Sequence, residues 1–206
     1  MPDLRELLGR TDIYLLDLIL SQKAPQDLPV LDAGCGGGRN LHIFRNAGTE
    51  LFAIDRDPKA VEGVRVLDPK HGDSDHYRVG DLSETGFDDN KFGLVICNAV
   101  LHFAEDEAHF RRMTSELMRI LAPGGVLFCR LASAIGIEDK VVPSAAKADP
   151  RWHRLPDGSD RFLVDLDFLL DQTAALNAEL VSPVKTINVQ NLRCMTNWVV
   201  RKSGES

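Results

Sequence analysis

Short apolar segments bounded by Gly, Pro or Asp alternate with helical patterns through most of the chain. Apolar runs of four to eight residues between such boundaries are typical of buried parallel strands. We therefore predict five strands at Pro29–Asp32, Leu51–Asp55, Tyr77–Val79, Phe92–Asn98 and Gly125–Leu131.

The segments between these strands have helical spacing of apolar residues. The predicted helices cover Asp12–Leu20, Asn40–Ala47, Pro58–Leu67 and Asp106–Leu121. Asp57 followed by Pro58 is a good helix start, because an aspartate caps free N–H groups and proline suits the first turn. In the first helix we expect Ile13, Leu16 and Leu20 to form the buried side. Strand–helix repetition of this kind predicts an α/β fold, a doubly wound parallel sheet with helices on both faces.

The last third of the chain departs from the alternation. Asp165–Leu176 is helical in pattern, and Leu180–Val189 and Cys194–Arg201 are β-rich runs separated by a short turn. That spacing permits a hairpin, so at least one of the two strands should be antiparallel. The polar stretch Ala132–Asp160 is long for a connection, and it is expected to be a lid, a binding loop or partly disordered. Without repeats or a second core, residues 1–206 are predicted to form a single domain.

Composition and charge narrow the class of protein. With 206 residues, 44% hydrophobic and 27% charged, the chain has the composition of a soluble globular domain. A net charge of −7 with scattered basic residues argues against a nucleic-acid or anionic-membrane partner. The start of the chain lacks the apolar core of a signal peptide, so the expected location is cytoplasmic. The four cysteines are not clustered, which predicts reduced thiols and no metal site.

A glycine-rich turn follows the first strand, in the segment VLDAGCGGGRN from Val30 to Asn40. Glycines at this place let the backbone approach a ligand at the carboxyl ends of the strands. Asp55 ends the second strand about twenty residues later, where a carboxylate can accept both ribose hydroxyls of a nucleoside. Asp81 follows the third strand and could accept the exocyclic amino group of an adenine. The alternative for either residue is a solvated or capping carboxylate.

A dinucleotide is the competing ligand for such a turn. Its G-x-G-x-x-G fingerprint is matched by Gly34 and Gly36, but Arg39 occupies the third glycine position. That glycine allows close packing of the helix on the strand, which arginine cannot reproduce. A ligand without a pyrophosphate therefore fits the sequence better than NAD.

Nearly the whole chain resembles the class I S-adenosylmethionine-dependent methyltransferases. The resemblance is carried by LDAGCGGGRN, AIDRDP, GDLSE, FGLVICNAVLHF and LAPGGVLFCRLA. It implies a Rossmann-like methyltransferase fold, with a mostly parallel sheet of seven strands and an antiparallel last strand between the fifth and sixth. The segments GRTDIYLLDLIL and NLRCMTNWVVRK are similar to a small-molecule branch related to tellurite-resistance methyltransferases.

The resemblance also implies a set of cofactor-binding residues. Asp32, Gly34 and Gly36, with Cys35 between the glycines, would shape the pocket for the amino-acid part of the cofactor. Asp55 would hold the ribose, Asp81 and Leu82 would contact the adenine, and Arg56 would lie along it or be exposed. The remaining implied positions are Asn98 and Ala99 beyond the fourth strand, Arg39 and Asn40 near the cofactor carboxylate, and Tyr14 in residues 1–22, a helical lid.

Methyl transfer demands little of the protein beyond positioning and exclusion of water, because the sulfonium is already a good leaving group. His102 is the candidate catalytic residue, since a histidine after the fourth strand could orient or deprotonate an acceptor. The alternative is a structural histidine bonded to backbone. The acceptor pocket is expected from the N-terminal lid, from residues 102–106 and from the acceptor-side loop at residues 132–160.

The function predicted from these features is methyl transfer from S-adenosylmethionine to a small-molecule acceptor. The similarity to the tellurite-resistance branch implies that this acceptor could be a metalloid. Two other functions remain open at this point. One is a non-catalytic module that binds S-adenosylmethionine, and the other is an NAD-dependent oxidoreductase.

Overall fold

The computed structural model describes residues 3–25, 27–69, 71 and 75–204. The first two residues of the predicted N-terminal lid therefore lie outside the described residues. The helices are α1 Leu4–Leu8, α2 Ile13–Leu20, α3 His42–Asn46, α4 Pro58–Leu67, α5 Glu107–Ile120 and α6 Leu166–Ala175, with a single 3₁₀ turn at Leu101–Phe103.

Eight strands form the main sheet. They are β1 Val30–Ala33, β2 Leu51–Asp55, β3 Tyr77–Val79, β4 Phe92–Asn98, β5 Leu121–Ser133, β9 Ala178–Leu180, β10 Lys185–Val189 and β11 Arg193–Lys202. The remaining strands, β6 Val142–Pro143, β7 Trp152–Arg154 and β8 Asp160–Phe162, form a separate small sheet.

The main sheet has the order β10-β11-β5-β4-β1-β2-β3, and β9 pairs with the far end of β11. Strands β1 to β5 are parallel, whereas β11 is antiparallel to both β5 and β10. Strands β9 and β10 thus pair with different parts of the same edge of β11, and together they occupy the place of the sixth strand in the predicted seven-stranded sheet. The predicted fold class, with an antiparallel last strand inserted beside β5, is confirmed.

Apolar side chains cover both faces of this sheet. Strand β4 is buried along its whole length, as expected for a central parallel strand. Helix α5 buries Phe110, Met113 and Leu117 on one face. On the other face, α2 and α4 pack against the same strands. The strand order reverses between β1 and β4, and this is where ligands bind in open α/β sheets.

Helix α2 buries a different face from the one expected. Leu15 and Leu18 are its buried residues, while Ile13 and Leu20 are 68% and 80% exposed. The prediction of Ile13, Leu16 and Leu20 as the buried side was wrong. Consecutive apolar residues surround the helix, so that its periodicity does not determine which side meets the sheet.

The polar stretch Ala132–Asp160, expected to be a lid, a binding loop or partly disordered, contains strands β6 and β7 and the first residue of β8. Trp152 on β7 is 7% exposed, and its indole N–H donates to the carbonyls of Ala104 and Glu105, at 3.0 and 3.1 Å. Phe162 on β8 is fully buried and stacks on Phe110 of α5, with 5.5 Å between ring centroids. The small sheet is therefore packed onto the main core by two aromatic side chains. We call residues 132–162 the acceptor-side segment.

Several boundaries also differ in detail. The turn Pro123-Gly124-Gly125 does not separate α5 from its strand, because β5 already begins at Leu121 and contains the turn as an irregularity opposite β4. Helix α3 covers His42–Asn46 and is shorter than the predicted Asn40–Ala47, and the side chain of Asn40 accepts a hydrogen bond from the backbone N–H of Asp12. Within the described residues, no helix has the length and apolarity needed to cross a membrane.

Replacing Phe162 with alanine should destabilise the protein by about 3–5 kcal/mol, because it removes a fully buried ring from the joint between the two sheets. Urea unfolding measures the change. Val142→Ala, at a side chain 54% exposed in the same small sheet, is the matched control and should stay within about 0.5 kcal/mol of wild type. Equal effects of the two substitutions would show that the acceptor-side segment is not part of the core.

Candidate active site

A cavity of about 440 Å³ opens at the carboxyl ends of β1, β2 and β4. Its lining comes from the turns after these strands, from the turn after β3 and from one residue of α5. The described lining residues are Gly34, Asp55, Arg56, Gly80, Leu82, Asn98, Ala99, Val100, Phe103 and Met113. Six of them, namely Gly34, Asp55, Arg56, Leu82, Asn98 and Ala99, are residues that the sequence predicted for the cofactor.

The carboxylate of Asp55 organises the floor of this cavity. Its Oδ2 accepts a hydrogen bond from the backbone N–H of Gly36 at 2.9 Å, and its Oδ1 accepts one from Asp57 at 2.9 Å. Gly36 has a φ of +50°, in the left-handed region that glycine adopts without a side-chain penalty. Asp55 therefore fixes the glycine turn after β1 while still facing the cavity.

Gly34 is the position where the turn has no room for a side chain. Its φ is +81°, and a Cβ built on it would lie 2.3 Å from Cγ2 of Val100, which lines the cavity. On the opposite wall, Ala99 has a φ of +64° although it is not glycine. Its N–H donates to the carbonyl of Arg130 at 2.7 Å, which holds this strained backbone in place.

Two buried side chains beside the turn carry polar atoms without a partner among the described residues. The unpartnered atoms are Oδ2 of Asp32 and both Oδ1 and Nδ2 of Asn98. Burial raises the pKa of Asp32 to about 8, an effect that the charge of Arg39 reduces and that of Asp55 increases. Of the two side chains, Asn98 lines the cavity, so a polar group of a ligand placed against it would remove the cost of its unpartnered atoms.

Asp81 is bound by neighbouring protein groups instead of facing the cavity directly. Arg56 Nε donates to its Oδ2 at 2.6 Å, and the backbone and hydroxyl of Ser83 donate to its Oδ1. Burial would raise the pKa of this carboxyl, but the hydrogen bonds from Ser83 and Arg56 outweigh it and lower the pKa to about 2. Asp81 is thus an ionised counterion that holds Arg56 along the cavity wall.

Another group of predicted residues forms a cluster next to the cavity, outside its described lining. The carboxylate of Asp12 lies 3.6 Å from the guanidinium groups of both Arg39 and Arg130. Asn40 accepts from the backbone of Asp12, and the ring of Tyr14 lies under Arg130 at 5.4 Å. These contacts join the start of α2 to the turn after β1 and to β5.

The thiol of Cys35 points away from the cavity. It is buried in the apolar cluster that includes Leu41 and Val64, and burial raises its pKa. A small apolar side chain in this place packs the turn against the helices. Of Cys35, then, only the backbone belongs to the glycine turn at the cavity.

His102 is buried and bonded to backbone. Its Nδ1 accepts the N–H of Ala132 at 3.1 Å, so the hydrogen of the neutral ring is on Nε2. Burial, together with the charge of Arg161, lowers the pKa of His102 to about 4. A neutral ring bonded in this way has no free lone pair for a proton, and His102 is not among the described residues that line the cavity. This geometry favours the structural role for His102, and its catalytic role stays a prediction.

Gly80, Val100 and Met113 line the cavity but were not predicted as site residues, whereas Phe103 lies in the segment 102–106 that was expected to border the acceptor. Gly80 and Val100 are immediate neighbours of predicted residues, so position after a strand end could have indicated them. Met113 belongs to the apolar face of α5. The spacing of that face predicts burial, but it does not distinguish a buried residue that borders a cavity from one inside the core.

Known proteins resemble the chain in both sequence and fold. Residues 31–129 match the family described as methyltransferase domain. The chain is 28% identical over 162 residues to the malonyl-[acyl-carrier protein] O-methyltransferase of Serratia marcescens, covering 77% of this chain and 57% of that protein. It is 33% identical over 103 residues to the ubiquinone biosynthesis O-methyltransferase of Methylocella silvestris, covering 50% of this chain and 39% of that protein.

Among solved structures, the fold matches the 1,6-didemethyltoxoflavin-N1-methyltransferase of Burkholderia thailandensis, solved with its substrate and S-adenosylhomocysteine. The TM-score is 0.69 at 16% identity, over 98% of this chain and 81% of that one. The matched family segment begins in β1 and ends in β5, and so contains every strand end that forms the cavity. The part of the chain that forms the cavity is therefore similar to a methyltransferase domain, and this supports the predicted class and cofactor. The chain spans about two fifths to three fifths of the length of the two curated relatives named here.

Gly34→Ala should lower both the stability and the affinity for S-adenosylhomocysteine. The new Cβ meets Val100 in a backbone conformation that alanine resists, a strain of about 1–3 kcal/mol. Gly37→Ala is the matched control, because a Cβ there meets nothing within 4 Å and its φ is not in the left-handed region. Urea unfolding and calorimetric titration of both variants measure the difference, and equal behaviour would contradict the close approach at Gly34.

Asp32→Asn should remove a pH-dependent cost of folding. Because burial raises the pKa of Asp32 to about 8, the folded chain keeps a proton that the unfolded chain releases above about pH 4. Between pH 5 and 8, the unfolding free energy of the wild type relative to the variant should therefore fall as pH rises, by at most about 1.4 kcal/mol per pH unit. Urea unfolding of the ligand-free proteins tests this, and a difference independent of pH would refute it.

Proposed function

We propose that this protein transfers the methyl group of S-adenosylmethionine to an oxygen atom of a small or carrier-linked organic acceptor. The observation that carries the proposal is the cavity at the strand-order reversal, floored by the glycine turn that Asp55 holds. The methyltransferase domain match covers this cavity, and both curated relatives named above are O-methyltransferases.

The residues present suit this cofactor. The carboxylate of Asp55 retains lone pairs that face the cavity and can accept hydrogen bonds from ribose hydroxyls. Leu82 and Met113 offer apolar surface on which the adenine ring can pack. The buried carboxyl of Asp32 lies in β1, just before the glycine turn and outside the described lining of the cavity. S-adenosylmethionine supplies an activated methyl group on a positively charged sulfur. The ligand-free site thus already has the polar groups and the space that an adenosyl sulfonium requires.

The contribution of the chain to the reaction is positioning and exclusion of water. Among the described residues that line the cavity, Asp55 and Arg56 are the titratable ones, and Arg56 is paired with Asp81. His102 is occupied by the backbone of Ala132. An acceptor oxygen that is ionised at neutral pH needs no base, so this site favours such an acceptor over one that must be deprotonated. The metalloid acceptor of the narrower resemblance has no counterpart among the relatives named above.

The function is tested by binding and by product formation. Calorimetry should detect S-adenosylmethionine and S-adenosylhomocysteine but not NAD, since Arg39 occupies the third glycine position of the dinucleotide fingerprint. Incubation with S-adenosylmethionine and a panel of carboxylic acids, which are ionised at neutral pH, should then release S-adenosylhomocysteine, detected by mass spectrometry. Binding without turnover on every acceptor would favour a non-catalytic module, and selective binding of NAD would refute the proposal.

Asp55→Asn should weaken binding of S-adenosylhomocysteine at least tenfold. Asparagine has one acceptor oxygen where the carboxylate uses two, so an amide N–H₂ would face the backbone N–H of Gly36 or Asp57. Asp57→Ser is the matched control, because it changes the neighbouring carboxylate but keeps a residue that can cap α4. Calorimetric titration measures both, and an unchanged affinity of Asp55→Asn would exclude the ribose role.

A further inference from the structure

Arg161 on β8 lies at the edge of the cavity. Its guanidinium carbon is 4.8 Å from the centre of the Phe103 ring, and that ring lines the cavity. Arg161 is half-buried and is held on the small sheet by its pairing with His153. The acceptor-side segment thus places one cation on the aromatic residue that borders the cavity after β4.

The charge of Arg161 is not neutralised by a neighbouring carboxylate. Other arginines near this side of the molecule are ion-paired: Arg56 with Asp81, Arg111 with Glu107, Arg151 with Glu107 and Asp165, and Arg154 with Asp160. In the described part of the chain, Arg161 makes no ion pair within 4.0 Å, and its hydrogen bond goes from Nη1 to the carbonyl of Asp160 at 2.7 Å. Most of its N–H donors therefore remain available.

The nearby carboxylates are already engaged by other groups. The carboxylate of Asp160 accepts from Ser144 and Arg154, at 2.5 and 2.7 Å. That of Asp157 accepts from the backbone and the hydroxyl of Ser159. Both carboxylates feel the charge of Arg161 without contacting it. The same charge lowers the pKa of the buried His102, whose ring centre lies 4.5 Å from that of Phe103.

We propose that Arg161 is the specificity-determining residue for the methyl acceptor, and that it binds a carboxylate of that acceptor at the rim formed by Phe103. A guanidinium presents parallel N–H donors that match a carboxylate, and a half-buried, unpaired guanidinium gains most from such a partner. The ring of Phe103 holds the guanidinium from one face by a cation–π contact. The acceptor is therefore an organic acid. This inference rests on the proposed function, because it assigns a ligand to the acceptor side of the same cavity.

The test uses the full chain saturated with S-adenosylhomocysteine, whose binding is measured first. Three acids are then titrated, each alongside its neutral methyl ester: malonyl-N-acetylcysteamine thioester, 4-hydroxybenzoate and decanoate. At least one acid should bind ten or more times more tightly than its ester. Failure to bind S-adenosylhomocysteine would refute the proposed function. Normal binding of it, with no acid preferred over its ester, would refute the role of Arg161 alone.

Arg161→Gln should abolish the preference for the acid while leaving the affinity for S-adenosylhomocysteine and the thermal midpoint unchanged. Arg161→Lys keeps the positive charge but lacks the parallel N–H donors of a guanidinium, so it should retain part of the preference for the acid. Lys147→Gln is the matched control, because it removes one positive charge from the same segment at a side chain paired with Glu105. The proposal is overturned if Arg161→Gln keeps the preference, or if Lys147→Gln loses it equally.

Discussion

The site depends on the two hydrogen bonds that the carboxylate of Asp55 accepts from backbone N–H groups. One of these groups belongs to Gly36 in the turn after β1, and the other to Asp57 at the start of α4. A single side chain thus fixes the relative position of two strand ends and one helix start. Because charged hydrogen bonds to backbone donors are strong and directional, the glycine turn is held in a conformation that would otherwise cost entropy. The cavity can then exist before any ligand arrives.

The opposite wall of the cavity is built by packing instead of by charge. Ala99 holds a left-handed conformation because β5 supplies a carbonyl for its N–H, and Val100 fills the space that Gly34 leaves open. The turn after β4 then leads into Phe103, which the acceptor-side segment covers with Arg161. One side of the cavity is therefore rigid and suited to a nucleoside, whereas the other is bordered by a separately folded small sheet that can differ between relatives without disturbing the cofactor side.

Sequence reasoning predicted the parts of this structure that depend on local rules. Buried parallel strands are recognisable in the sequence as apolar runs, and the ligand-binding residues of this fold follow the ends of those strands. Asp55 could thus be predicted from its place at the end of a strand, whereas Leu82 and Asn98 were implied by the resemblance to a known family. The antiparallel last strand followed from a hairpin spacing that reappears as the pairing of β10 with β11. Chain order and boundary residues carry this information directly.

The remaining features are set by tertiary contacts that no local pattern contains. Asp81 is predicted to lie at the adenine, and its pairing with Arg56 from another strand end is a tertiary contact that depends on how β2 and β3 meet. The small sheet was hidden because its strands have two or three residues and are stabilised by Trp152 and Phe162 reaching into a distant core. His102 has an ambiguous sequence context, and only the position of the Ala132 N–H decides its tautomer. In each case the deciding partner lies on another element, so the role of the residue becomes visible only when the chain is folded.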